Sequence, residues 1–204
     1  LEFYLLDQQR DAHGRPQPAL QMNGVRPQAP QVYGVAELEQ LQPFIDDLYA
    51  ACAVQGLPVR TAISEYAPGQ LELTLEHRFD ALQAIDEGVR YKRLVKGVAH
   101  QHGFVACFMA KPFGELAGSG MHMHVSLADE QGNNLMASAE PTGTPLLKHA
   151  IGGMLATLND ALAIFCPNAN SYRRFQANSY APLAKSWGVN NRSVSFRVPG
   201  GPAN

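Results

Sequence analysis

Two glutamates, Glu65 and Glu72, flank the run Tyr66-Ala67-Pro68-Gly69-Gln70-Leu71. A Pro-Gly pair turns a chain sharply and lays two strands side by side. Each strand then carries an acid near the turn, and both acids can face one side. Carboxylates held that close repel unless something positive sits between them. A hard divalent cation such as Mg2+ or Mn2+ suits that place, because it prefers carboxylate oxygens. Glu2 is a third acid, set in the apolar run Leu1-Glu2-Phe3-Tyr4-Leu5-Leu6, where an unpaired charge is costly. Taken singly, each of these glutamates also reads as a solvent-facing residue of a half-exposed sheet.

The run Lys111-Pro112-Phe113-Gly114-Glu115-Leu116-Ala117-Gly118-Ser119-Gly120-Met121-His122-Met123-His124-Val125-Ser126 is more specific. Gly118 and Gly120 admit close backbone approach to a ligand. The pattern predicts a strand over 121–127, with His122, His124 and Ser126 on one face and Met121, Met123 and Val125 on the other. Imidazoles there serve as metal ligands or as donors to phosphate, although a His-x-His pair by itself also reads as packed or exposed. No Gly-Lys-Ser/Thr follows, so this is not a Walker loop.

Arginines gather near the end, in Asn170-Ser171-Tyr172-Arg173-Arg174-Phe175 and in Asn190-Asn191-Arg192-Ser193-Val194-Ser195-Phe196-Arg197. Guanidinium groups clamp carboxylates and phosphates, and each alone also fits pairing with a surface acid. Arg192 and Arg197 are five apart, which a regular strand turns to opposite faces. Three acids, a histidine strand and a cationic group point to metal-assisted phosphoryl chemistry. At this level kinase, ligase and phosphatase remain equally open.

These residues need a scaffold. Residues 1–6 read as a buried strand and 7–34 as a long excursion rich in Gly, Pro and Gln. Leu38, Leu41, Phe44, Ile45 and Leu48 recur at helical spacing, which predicts a helix over 36–55, ended by Gly56 and Pro58. Strands are predicted over 60–66 and 70–75. A helix follows over 79–102, with Leu82, Ile85, Val89, Leu94 and Val98 near one face. A strand over 104–109, a turn over 129–134, a helix over 144–164 and a strand over 193–198 complete the reading. Short turns between strands imply antiparallel pairing, so the expected class is α+β: a largely antiparallel sheet lining the site, with helices outside.

The 204 residues suffice for one sizeable domain and core. A net charge of −2, without basic runs interleaved with aromatics, argues against nucleic acid or an anionic membrane as partner. No apolar stretch is long enough to span a bilayer. Three widely spaced cysteines, Cys52, Cys107 and Cys166, form no CxxC pair and fit a reducing, cytoplasmic setting. The chain opens inside a strand, without Met, and reads as an excised portion of a longer protein.

Together and in order, these segments resemble the glutamine synthetase family over essentially the whole chain. The run from Lys111 to Ser126 resembles the family's ATP-region signature. Glu65-Tyr66-Ala67-Pro68-Gly69-Gln70-Leu71-Glu72 resembles its metal turn. Leu1-Glu2-Phe3-Tyr4 resembles the end of its Glu-x-Glu-Phe strand, and Asn170-Ser171-Tyr172-x-Arg174 and Asn191-Arg192-Ser193 resemble its two arginine segments. The resemblance implies that Glu2, Glu65 and Glu72 hold one metal, Mg2+ or Mn2+, and that His122 binds a second. It places Gly118 and Arg174 on glutamate, His124 and Ser126 toward ATP, and Arg192 at the γ-phosphate, with Arg197 a further candidate there. The implied reaction joins ATP and glutamate into γ-glutamyl phosphate, from which an amine displaces phosphate. It also implies a homo-oligomeric ring.

Two positions depart from the pattern. Glutamine synthetases that use ammonium carry a Glu before Ala-Pro after the first arginine segment; here Asn178-Ser179-Tyr180-Ala181-Pro182 puts Tyr180 there. A neutral phenol attracts a small cation poorly, whereas its ring can cover the stem of a larger amine. Ala117 also stands where an Asn often precedes Gly-Ser-Gly. Both fit the branch that ligates glutamate to polyamines such as putrescine. The alternatives are an ammonium-using synthetase and a non-catalytic structural or regulatory relative. The resemblance further implies that a small N-terminal domain and a C-terminal part lie outside residues 1–204. On that expectation, the chain alone is inactive and binds metal weakly.

Overall fold

The strand β1 (Glu2–Asp7) is buried on both faces, and its alternation sorts two environments. Phe3 and Leu5 enter the main core with Leu71 and Leu73, while Tyr4 and Leu6 pack on the other side against Ala67, Phe113, Leu116 and Ala117. The computed structural model describes residues 1–200. The chain divides into two units, Leu1–His122 and Met123–Asn204.

In the first unit, β1 is followed by α1 (Val35–Glu39), α2 (Gln42–Val54), β2 (Val59–Ser64), β3 (Gln70–Leu75), α3 (Ala81–Gln101) and β4 (Phe104–Cys107). The four strands form one antiparallel sheet in the order β2-β3-β1-β4. Helices α2 and α3 cover its core face through Phe44, Ile45, Leu48 and Cys52 from the first, with Leu41 just before it, and Tyr91, Leu94, Val95, Val98 and Ala99 from the second. The α+β class with outer helices therefore holds. Asp80 caps α3 by accepting from the N–H groups of Leu82 and Gln83 at 2.8 and 3.2 Å.

Two expectations for these helices need correction. The helix read over 36–55 is two helices. Pro43 lacks an N–H and its ring crowds the carbonyl four residues back, so the helical run restarts there. In α3, only the second half buries its apolar stripe. Leu94 and Val98 are buried, but Leu82, Ile85 and Val89 are exposed, because Glu87 rather than Val89 turns inward to meet Arg78.

The second unit holds α4 (Pro145–Phe165), α5 (Ala169–Tyr172), β5 (Trp187–Val189) and β6 (Phe196–Val198). Thr144 caps α4 at the N–H of Leu147. β5 and β6 pair in parallel, with Trp187 beside Phe196 and Val189 beside Val198. The strand read over 121–127 does not form. Those residues are exposed and outside any named strand, because an extended segment becomes a strand only where a neighbour supplies ladder partners. The turn at 129–134 does form, closed by the bridge between Ala128 and Asn134. Among the described residues no helix is long and apolar enough to cross a membrane, and all three cysteines are free thiols.

Candidate functional site

The site grows out of the β1–β3 ladder. Glu2 is the direct cross-strand partner of Glu72, and Tyr4 of Gln70. Residues opposite one another in an antiparallel pair share a face, so Glu2, Tyr4, Gln70 and Glu72 all turn away from the helices. Phe3, Leu71 and Leu73 anchor the opposite face in the core and lock this register.

The loop carrying Gly118 and Gly120 docks on that face. Glu2 and Gly120 exchange two hydrogen bonds: the Glu2 N–H donates to the Gly120 carbonyl at 3.2 Å, and the Gly120 N–H donates to Glu2 Oε2 at 2.8 Å. The Tyr4 hydroxyl donates to the Ala117 carbonyl at 2.5 Å. Burial, reinforced by the nearby acid Glu2, pushes the Tyr4 phenol well above its ordinary range, so it stays a donor. Lys111 is buried and its ammonium donates to the Leu116 carbonyl, holding the loop from within.

This docking delivers His122. Glu2, Glu72 and His122 each offer a ligand atom, and these atoms lie within 4.8 Å of one another. The two acids are half-buried and the imidazole is exposed. The two carboxylates are hard oxygen donors that fit Mg2+ or Mn2+, and the imidazole is a borderline donor better matched to Mn2+ than to Mg2+. Glu65 is not one of the three within that distance. Glu72 pairs with Ile63, and the ladder ends at Ser64 and Leu71, so Glu65 sits beyond it at the start of the turn. Its N–H donates to the Gln70 carbonyl at 2.8 Å.

Sequence reading missed the residues that brace the turn. Glu37, on α1, is 4% exposed. Its carboxylate accepts from the Ser64 hydroxyl at 3.0 Å and from the Gly69 N–H at 3.1 Å. Gly69 has φ +73°, and a Cβ there would sit 3.0 Å from Pro18 Cβ and 3.1 Å from the Leu5 carbonyl oxygen, so a larger residue is both strained and crowded. The Gln70 amide is likewise buried among the three motif segments. Its place inside the Pro-Gly motif was the available signal; nothing in the sequence marked Glu37.

The remaining sequence-derived residues lie in the second unit. His124 and Ser126 are exposed and lie outside any named helix or strand. Arg174 is half-buried just past α5, where Ser179 Oγ donates to its carbonyl at 2.9 Å. Tyr180 is exposed, with a left-handed φ of 56°, two residues after Asn178 at φ 61°. Such backbone is uncommon for a bulky side chain and marks a constrained turn. Arg197 lies on β6, whereas Arg192 lies in the β5–β6 connection, so the opposite-face argument for one strand does not apply to the pair.

Comparison with known proteins agrees with this architecture. The family model described as "Glutamine synthetase, catalytic domain" matches residues 1–204. The chain is 43% identical over 202 residues to gamma-glutamylputrescine synthetase PuuA of Escherichia coli K12, covering 98% of this chain and 43% of that enzyme. It is 36% identical over 168 residues to gamma-glutamylethanolamide synthetase GlnA4 of Streptomyces coelicolor, covering 82% and 36%. Among solved structures, a GmaS/ADP complex superposes with a TM-score of 0.80 at 28% identity, over 97% of this chain and 46% of that one. The chain thus spans less than half the length of these relatives. A catalytic-domain match across every residue places the chain in the glutamine synthetase family.

Proposed function

We propose that the protein carrying this chain is an ATP-dependent ligase that joins the γ-carboxyl of glutamate to an amine, with putrescine or a similar alkyl amine as acceptor. The convergence of Glu2, Glu72 and His122 within 4.8 Å, beside the loop bearing Gly118, is the observation that carries the reading. A divalent cation bound there would supply charge neutralisation between polyphosphate and carboxylate. Glu2, Glu72 and His122 would hold it, with Glu65 within the same turn as a further donor.

The chain's other residues have these roles in the proposal. Gly118 and Arg174 bind glutamate, the guanidinium gripping a carboxylate. His124 and Ser126 face ATP, and Arg192 and Arg197 answer charge at the γ-phosphate. Phosphoryl transfer to the γ-carboxylate releases ADP and leaves an acyl phosphate. The amine nitrogen then bonds to the acyl carbon, the C–O bond to phosphate breaks, and the nitrogen sheds a proton.

The acceptor assignment rests on Tyr180 and on relatives whose names specify putrescine, ethanolamide and isopropylamine products or substrates. An ammonium-using synthetase is the second reading, since glutamine synthetases are also among the relatives, such as that of Pyrococcus abyssi at 37% identity. The test is the full protein with ATP, Mg2+, glutamate and either ammonium, putrescine, ethanolamine or isopropylamine, followed by phosphate release and product mass. Preference for a carbon-bearing amine is expected. Preference for ammonium overturns the acceptor, and absence of glutamate-dependent ADP formation with every amine overturns the ligase reading.

A further inference from the structure

Gln70 is 1% exposed, yet its side-chain amide meets three separate stretches of chain. Its Nε2 lies 3.3 Å from Glu2 Oε2, 3.2 Å from the Gly118 carbonyl oxygen and 3.3 Å from Ser119 Oγ. Its Oε1 accepts from the Ala67 N–H at 3.2 Å. An amide NH2 has two hydrogens, so three acceptors crowd one donor group, while Ser119 has a proton of its own to give. No charged side chain could serve here: an acid would repel Glu2, and a lysine would have no acceptor for Ala67.

Glu2 Oε2 therefore receives two N–H donors, from Gln70 and from Gly120. Both fix the rotation of the carboxylate about its own axis. The same amide ties that carboxylate to the backbone of Gly118.

We propose that Gln70 is the positioning residue of the cation site, holding the Glu2 carboxylate, the Ala67–Gly69 turn and the Gly118-Ser119 loop as one rigid unit. This inference rests on reading Glu2, Glu72 and His122 as a cation site. Gln70 itself does not touch the cation; it acts through Glu2. Groups that orient a metal ligand in this way typically alter affinity by about 10–100-fold when removed.

The test is Mn2+ titration of the full protein, followed by electron paramagnetic resonance, without substrates. Gln70→Met keeps length and removes every polar atom. Gln70→Asn keeps the amide but shortens its reach by one methylene, and serves where the Met variant does not fold. Val95→Ala, buried in the core on α3, provides a variant of lowered Tm whose site is intact. Both Gln70 variants should bind Mn2+ about tenfold or more weakly, while Val95→Ala binds within about twofold of wild type. A folded Gln70 variant that binds as wild type does overturns the positioning role. A wild-type protein that binds no Mn2+ overturns the cation site and this inference together.

Discussion

Glu2 stands directly across the β1–β3 ladder from Glu72, and their carboxylates come within 4.8 Å of each other and of His122. Like charges on directly opposed residues destabilise a sheet. The register that confronts these two acids is enforced from behind by Phe3, Leu71 and Leu73 in the core. In the proposed reading, the repulsion within this pair is a cost that a bound cation would offset. Glu72→Gln should leave metal-free thermal stability unchanged or raised. It should also abolish most of the Tm increase that saturating Mn2+ gives the wild type, an increase worth about 2.7 kcal/mol at a hundredfold excess over Kd. Differential scanning calorimetry with and without Mn2+ checks both halves.

Glu37 braces the Ala67–Gly69 turn. It accepts from Ser64 Oγ and the Gly69 N–H, and neither of those donors has water as an alternative. Removing a charged acceptor from buried donors costs about 1.5–3 kcal/mol per bond. Glu37→Ala should therefore lower unfolding free energy in urea by about 3–6 kcal/mol, with Glu37→Gln roughly halfway. Gly69→Ala should also destabilise, by more than about 1 kcal/mol, because it strains a left-handed residue and presses on Pro18.

How much of this was legible in the sequence depends on which forces set each feature. The Ala67-Pro68-Gly69 turn and the alternation in Leu1–Leu6 were readable, because both are local. They fixed which residues share a face, and the fold followed. The pairing of acids was not readable from the hairpin alone. Spacing put Glu65 near Glu72 across the turn; because β3 lies between β2 and β1, the ladder also sets Glu2 directly across from Glu72, which no local pattern shows. Glu37 was invisible because one acid on an amphipathic helix looks like a solvated residue until its partners are known. The strand over 121–127 failed for a related reason: its alternation is local, but strand formation depends on a neighbour. Pro43 was in plain view, and apolar spacing around it masked the break it causes.

Acid should act on the first unit through Glu87. Arg78 donates to both of its carboxylate oxygens, at 3.1 and 2.9 Å, and Gln83 donates at 2.9 Å. The Arg78 hydrogen bonds, above all, hold the Glu87 carboxyl below the usual carboxylate range, against the opposing effect of burial. A group whose pKa is depressed on folding stabilises the native state above its unfolded value, near about 4.3 for Glu. That contribution is lost as pH falls through the folded value. Tm should decline below about pH 4.5, and Glu87→Gln should flatten the decline, as measured by circular dichroism melts from pH 7 to pH 3.

Thiol chemistry offers a probe of how firmly the core is closed. Cys52 is 1% exposed on α2, packed in the main core, and burial pushes its thiol up to about 11. At pH 8 about one molecule in a thousand would carry the reactive thiolate, even with access. Cys107 and Cys166 are both partly exposed. Burial raises the Cys166 thiol as well, but Arg174 opposes that rise. Iodoacetamide at pH 8 should therefore modify Cys107 and Cys166 in the native protein and reach Cys52 only through opening of the α2–α3 layer. Peptide mass spectrometry should show Cys52 labelling that accelerates sharply in urea, in step with the loss of helical signal. Labelling of Cys52 at the same rate as Cys166 in native buffer would mean that α2 detaches from the sheet readily. The site face, which relies on the core residues behind it for its register, would then have no rigid support.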